Sequence, residues 1–509
     1  MPPTNDKRTF LLAVGLPAAL HFLLHILTNG NYGIFRDELY YLACANHLAW
    51  GYVDQPPLSI AILAGSKALL GDSVQAIRLI PALAGSGLIV LTGLMVRRLG
   101  GRTFAQLLAA LSVMIVPTYL VITGFYSMNA LDMLFWAVIF YLLIVLIQTD
   151  NSKLWLWIGA VIGLGALNKI GVLVLCAALA VGVVLTPLRR HLRSKYLWFG
   201  AAIAAVIFLP HILWQVAHGW PTLEFIANAK AYKIAKLSPL DFFKSQVILI
   251  HPFNIIIWLT GLAYLLISRR LRAYRIFAFI YLSAFVILVL QSSKAYYLAA
   301  AYPILLAAGA IAFESLSDRR YWGWLRWAMP VLLVANGALT LPMGLPLLGP
   351  KQLIDYQAKL GIGPKPAETG YHTALPQYFA DRFDWEVLVQ KVASVYDTLP
   401  PNEKGACAIL TSDYGEASAI NYYRGRYGLP RAVSGHNNYY LWGPGEMTGD
   451  IVIVVGMSRE SLEPAFESVT AAATLPESYN HSFDDNVIFL CRNLRIPAKE
   501  AWQHAKHFI

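Results

Sequence analysis

Long apolar runs, separated by short polar and basic stretches, fill the first 350 residues of this chain. A bilayer-crossing helix needs about 20 mostly apolar residues, and somewhat fewer where protein covers it. Eleven segments meet that requirement: roughly 10–29, 75–96, 104–121, 130–148, 154–168, 171–187, 196–214, 246–268, 274–291, 296–313 and 327–348. Residues 57–71 are apolar but short, which fits both an interfacial helix and a twelfth span. From about residue 350 the pattern changes, and acids, Asn, Gly and Pro appear at the frequencies of a soluble domain. There, ACAIL (406–410), DIVIVVGM (450–457) and NVIFLC (486–491) read as buried strands, and EASAINYYRGRYG (416–428) as a helix closing near a glycine. The pattern predicts an α-helical polytopic membrane protein with a C-terminal α/β domain. Residues 1–349 form the membrane part, with a first outer loop at 30–74, and residues 350–509 form the soluble part.

Composition supports this division. The chain has 509 residues, of which 57% are hydrophobic and only 14% charged, and its mean hydropathy is +0.53. Soluble domains carry about 25% charged residues, so lipid must solvate much of this chain. Basic residues outnumber acids, 40 to 29. They sit in short runs between apolar segments, which points to topology signals rather than a nucleic-acid surface. The apolar run after MPPTNDKRTF lacks a small-residue cleavage site and reads as a retained first span. The four cysteines, Cys44, Cys176, Cys407 and Cys491, show no metal-like spacing. Cys407 and Cys491 each fall in an expected strand, and both a disulfide and two buried thiols fit the sequence.

The distribution of basic residues sets an orientation. With eleven spans and the N-terminus inside, one set of loops holds Lys7, Arg8, the arginines of 97–102, 189–193, 269–275 and 319–326, Lys153 and Lys195. The opposite set holds fewer, among them Arg36, Lys169, the four lysines of 230–244 and Lys294 before the tail. Basic residues resist translocation, so residues 30–74, 122–129, 215–245 and 292–295 and the C-terminal domain are expected outside.

An ionisable group in or near a span is costly and points to function. Asp37, Glu38 and Asp54 lie in FRDELYYLACANHLAWGYVDQPPL (35–58), just past the first span. Asp132 opens the fourth span, Lys169 follows the fifth, and Lys294 lies in QSSKAYYLAAAYP. The orientation places all six on the outer side. A carboxylate can deprotonate a hydroxyl nucleophile, and a lysine can neutralise a phosphate as a point charge. A lipid-soluble, phosphorylated substrate would need such a site at this interface. Each residue also has a structural reading: Asp37, Glu38 and Asp132 as helix caps or dipole partners, Asp54 as a turn residue, and Lys169 and Lys294 snorkelling to headgroups. His218 and Trp220 in AHGWPT read as a turn with an interfacial aromatic.

The first-loop stretch resembles that of bacterial membrane glycosyltransferases of the protein O-mannosyltransferase type, with the lipid A aminoarabinose transferases as more distant relatives. The similarity continues through NALDMLFWAVIFYLL, GLGALNKIGVL, FLPHILWQVAHGWPTLEF, SSKAYYLAAAYPILLAAGA and LTSDYGEASAINYYRGRYGLPRAVSGHNNYYLWGPG. The resemblance implies a GT-C fold in a bacterial inner membrane and a donor sugar on a polyprenyl phosphate. It also implies inverting transfer of a hexosyl or pentosyl group. By the same resemblance Asp37 is the base, Glu38 the adjacent catalytic acid and Asp54 the second acidic position. Asp54, Asp132, Lys169 and Lys294 then bind substrate, the lysines near the donor phosphate. The family often has His or Lys after the second acid, whereas this chain has Gln55. Some relatives bind a divalent metal and others do not, so the resemblance leaves the metal open. The acceptor is a protein hydroxyl, lipid A or a polysaccharide; nucleic acid is no partner.

Two other classes fit many spans. A transporter or flippase of lipid-linked sugars predicts midplane acids and repeated halves with broken helices. Instead, the charges gather on one face. A non-catalytic sensor leaves the acid–lysine set without a role.

Overall fold

A computed structural model describes residues 7–363 and 373–509. The chain divides into two compact units. The first comprises residues 1–31, 75–214 and 235–348, and the second 32–74, 215–234 and 349–509. The residues expected as the first outer loop therefore pack with the C-terminal domain in one unit.

The first unit is helical. Among the described residues, seven helices are long and apolar enough to cross a membrane: Lys7–Thr28, Val74–Arg98, Met128–Thr149, Lys195–Ala217, Arg272–Leu290, Ala295–Ser317 and Leu325–Gly344. The remaining four expected segments are also helical, but shorter or broken. Thr103–Met114 stops short of Pro117–Ile122. Leu154–Asn168 has 15 residues. Val172–Leu185 turns by 104° into Pro187–Arg193, and Pro239–Leu249 turns by 114° into Asn254–Ile267. A proline stands at three of these breaks (Pro117, Pro187 and Pro252), where its missing N–H and its ring interrupt the helical ladder. Ala295–Ser317 is almost wholly enclosed, whereas Lys195–Ala217 presents most of its apolar surface outward, as a lipid-facing helix does.

The second unit contains α1 (Arg36–Ala45), α2 (Leu58–Leu70), α3 (Trp385–Asp397), β1 (Cys407–Thr411), α4 (Tyr414–Tyr427), β2 (Ala432–Ser434), α5 (Asn438–Trp442), β3 (Ile451–Val455), β4 (Phe466–Thr474) and β5 (Val487–Leu494). Its sheet has the order β2-β1-β3-β5-β4. β1 pairs parallel with β2 and β3, whereas β5 runs antiparallel to β3 and β4. All five residues of β3 are buried, as expected for the central strand of a covered sheet. Gly428 closes α4 in the left-handed conformation.

The sheet order decides the cysteine question. Cys407 on β1 aligns with Ile451, and Cys491 on β5 aligns with Val452. Strand β3 therefore lies between the two thiols, roughly 10 Å across at about 4.8 Å per strand, too far for a bridge. Both are free, buried thiols, and burial pushes each up to about 11.

Candidate active site

In parallel α/β sheets, functional groups gather beyond the carboxyl ends of the strands. Here β1 delivers Ser412, Asp413 and Tyr414, and the neighbouring β2 delivers His436, Asn437 and Asn438. Helix α1 packs against α4 within this unit, so the acids of FRDELYYLACANHLAW meet the strand ends.

Asp37 lies in the first turn of α1. Its carboxylate accepts the Tyr414 phenol at 2.9 Å and stands 3.5 Å from the Arg36 guanidinium. Arg36 also reaches Asp381 at 3.6 Å and lies over the Tyr414 ring, 5.4 Å from its centroid. The Asp37 side chain remains 35% exposed, against 11% for Arg36. An oriented, water-accessible carboxylate is what proton abstraction requires. Gly415 permits this approach: a Cβ there would lie 2.5 Å from Arg36 Cγ and 2.7 Å from Asp413 Oδ1.

Glu38 differs from its neighbour. It is fully buried, and its carboxylate accepts the Phe35 N–H at 2.9 Å. That is the geometry of a cap on the first turn. Asp54 is half-buried and accepts the Tyr40 phenol at 3.0 Å; burial pushes it up to about 6. The Tyr40 oxygen in turn accepts the Asn438 N–H at 3.3 Å, while Asn438 Oδ1 accepts the Val53 N–H at 2.6 Å. The loop carrying Asp54 is thus tied to the end of β2. Gln55 is buried beside Cys44.

Behind Tyr414, burial alone would raise Asp413. His436, 3.3 Å away, together with Arg36 and the Gly415 N–H, outweighs burial and holds the carboxyl well below the usual range. Burial and the Asp413 charge push Glu416 up to about 8. The Tyr414 ring packs between Tyr40 (4.6 Å) and His436 (4.7 Å). Tyr414, Asp413, His436 and Asn438 were not among the expected site residues. Their signal was present as SDYGE, a capping box directly after a strand, and as the HNN triplet after β2.

The other expected residues, Asp132, Lys169 and Lys294, belong to the first unit. Lys169 Nζ stands 3.4 Å from Asp132 and donates to Asn129 Oδ1 at 2.8 Å. It also lies 4.3 Å from the centroid of the Tyr297 ring. With 6% exposure for Lys169 and 5% for Asp132, the pair is buried in protein rather than snorkelling. Lys294 begins the short helix that presents Tyr296 and Tyr297 to Lys169. His218 lies in a turn that closes at Trp220, whose N–H donates to the Gln215 carbonyl at 2.8 Å and which adopts φ +61°. Among the described residues, no three His, Cys, Asp or Glu side chains form a group that could hold a metal ion.

The sequence model of the family described as dolichyl-phosphate-mannose-protein mannosyltransferase matches residues 54–214. ArnT from Cupriavidus metallidurans bound to undecaprenyl phosphate matches with a TM-score of 0.63 at 15% identity, covering 94% of this chain and 98% of that one. Its apo state matches with 0.62 at 14%, covering 94% and 97%. This chain has the GT-C fold. The archaeal oligosaccharyltransferase AglB from Archaeoglobus fulgidus, in complex with an inhibitory peptide and a dolichol-phosphate, matches with 0.51 at 12%, covering 88% of this chain and 69% of that one. No curated protein matches. As expected from the sequence, the protein is a helical, multi-pass GT-C chain with a C-terminal sheet.

Proposed function

We propose that this protein is a membrane glycosyltransferase that moves a sugar from a polyprenyl-phosphate donor to an acceptor hydroxyl, with Asp37 as the base. The observation that carries this reading is the state of Asp37: in a GT-C fold, it is a carboxylate open to water and aimed by Tyr414 and Arg36. Its two neighbouring acids have other duties, Glu38 in a cap and Asp54 against Tyr40.

The reaction is a single displacement. The acceptor oxygen forms a bond to the anomeric carbon while its proton passes to Asp37. The bond from that carbon to the phosphate oxygen breaks, and polyprenyl phosphate leaves with the electron pair. The configuration inverts. Lys169 and Lys294 stabilise the departing phosphate, and Asp132 and Asp54 shape the substrate contacts. The base supplies about 10²- to 10⁴-fold, and positioning and electrostatic stabilisation supply the rest. The basic-loop asymmetry and the resemblance to bacterial transferases support a site on the outer side of an inner membrane. The transferred group is a hexosyl or pentosyl unit, and the acceptor is a protein, lipid A or a polysaccharide.

The test is Asp37→Asn in purified protein with a polyprenyl-phosphate sugar. Transfer should fall by about 100-fold or more with unchanged thermal stability. Near-normal transfer by a folded variant would overturn the assignment.

A further inference from the structure

The aromatic run SGHNNYYLWGPG (434–445) does more than brace the Asp54 loop. Within the second unit, Tyr439 from this run lines a cavity of about 470 Å³, a size in the range of small-molecule sites. α1 and the Asn46 that caps its C-terminus contribute Leu39, Leu42, Ala43 and Asn46 to its wall. These positions are three and four apart and form one stripe, roughly 160° around the helix from Asp37 at 100° per residue. The cavity and the candidate base therefore lie on opposite faces of α1.

The charged wall is cationic. Lys67 comes from α2, Arg424 from α4 and Arg431 from the segment before β2, while Asp72 is the one acid among the lining residues. Lys67 Nζ donates to the Asn46 amide oxygen at 2.7 Å, and Arg431 Nη2 contacts the His47 imidazole Nε2 at 2.8 Å. An amide and an imidazole thus position these cations, and neither contact neutralises them. The rest of the wall mixes the apolar side chains Leu39, Leu42 and Ala43 with hydroxyl, phenol and amide groups. Ser418 Oγ lies 3.1 Å and Asn421 Nδ2 3.2 Å from the Tyr439 phenol oxygen, and the Tyr422 phenol donates to the Asp72 carbonyl at 3.1 Å.

We propose that this cavity is a binding site for an anionic sugar, one bearing a phosphate or a carboxylate, separate from the Asp37 site. Three cations, two of them positioned by an amide and an imidazole, against one acid select an anion. The volume far exceeds that of a bare phosphate, and the phenol, hydroxyl and amide groups suit the hydroxyls of a sugar ring. The same chemistry occurs on free glycans and on glycolipid headgroups.

Titration calorimetry on the full chain in detergent, with glucose 1-phosphate, glucuronate, glucose and inorganic phosphate, tests the site. The two anionic sugars should bind about tenfold or more tightly than glucose or phosphate. The Lys67→Gln/Arg431→Gln double variant should lose about tenfold in affinity, and Asp72→Asn should gain several-fold. Asp37→Asn should bind as the wild type does, which keeps this result independent of the transfer reaction. In nanodiscs, an anionic glycolipid that competes better than its free headgroup assigns the site to a lipid-borne sugar, and equal competition assigns it to a soluble one. Absence of binding by the folded chain, binding of phosphate alone as tight as that of the sugar phosphate, or unchanged binding by the folded double variant would each overturn the proposal.

Discussion

Tyr414 donates its phenolic hydrogen to Asp37 across 377 residues of sequence, at 2.9 Å. The C-terminal sheet thereby supplies a group that aims the candidate base. Tyr414→Phe keeps the ring packing against Tyr40 and His436 and removes the hydrogen bond to Asp37. A hydrogen bond to a charged group is worth about 1.5–3 kcal/mol, so kcat should fall by about tenfold or more. KM for the lipid donor and the melting temperature should hardly change. Steady-state kinetics beside a melting curve checks this, and wild-type kcat in the variant would remove Tyr414 from the aiming role.

At Gly415, α4 passes close to Arg36. An alanine there meets Arg36 Cγ at 2.5 Å and Asp413 Oδ1 at 2.7 Å, so Arg36 must move away from Asp37 and Asp381. Overpacking of this kind costs about 1–3 kcal/mol. Gly415→Ala should lower both melting temperature and transfer, and lower transfer more than Tyr414→Phe does.

Asp132 and Lys169 form a buried pair at 3.4 Å. Removing one partner strands the other charge, at about 3–5 kcal/mol. Asp132→Asn and Lys169→Met should each reduce the yield of folded protein, and the double variant should recover much of it. If Lys169 meets the donor phosphate, the recovered double variant will remain inactive; full activity would make the pair purely structural.

Glu416 gives the second unit a pH dependence with a definite sign. Its folded value of about 8 lies above the ordinary 4.5. Between those values the native state holds a proton that the unfolded chain has released, so this group's contribution to stability falls as pH rises and is fully unfavourable above 8. Glu416→Gln removes the titration. The melting temperature of the wild type relative to this variant should therefore drop between pH 6 and pH 9. A constant difference would show that Glu416 does not titrate in this window.

Cys407 and Cys491 should remain reduced after mild oxidation, because β3 separates them. Thiol counting of the denatured chain before and after oxidation checks this; loss of both thiols together would contradict the strand order.

The pattern of residues along the chain was enough to place most helices of the first unit, because an apolar run in lipid can satisfy its backbone only by hydrogen bonds within itself, but it did not show the bends near Pro187 and Pro252. It also specified β1, β3, β5 and α4, whose buried runs and glycine stop are local signals. It passed over β2, only three residues long, and β4, an edge strand whose side chains are mostly exposed, because neither carries the alternation that burial imposes. The three acids after the first span were legible as a group, since charge is scarce there. Their separate duties were not: tertiary packing buries Glu38 as a cap, sets Asp54 against Tyr40 and leaves Asp37 open. Tyr414 meets Asp37, and Asp381 meets Arg36, only because a helix near the N-terminus and elements of the C-terminal domain pack in one unit. A contact between residues so far apart leaves no trace in local propensity; it exists only once burying their shared surface has brought the elements together.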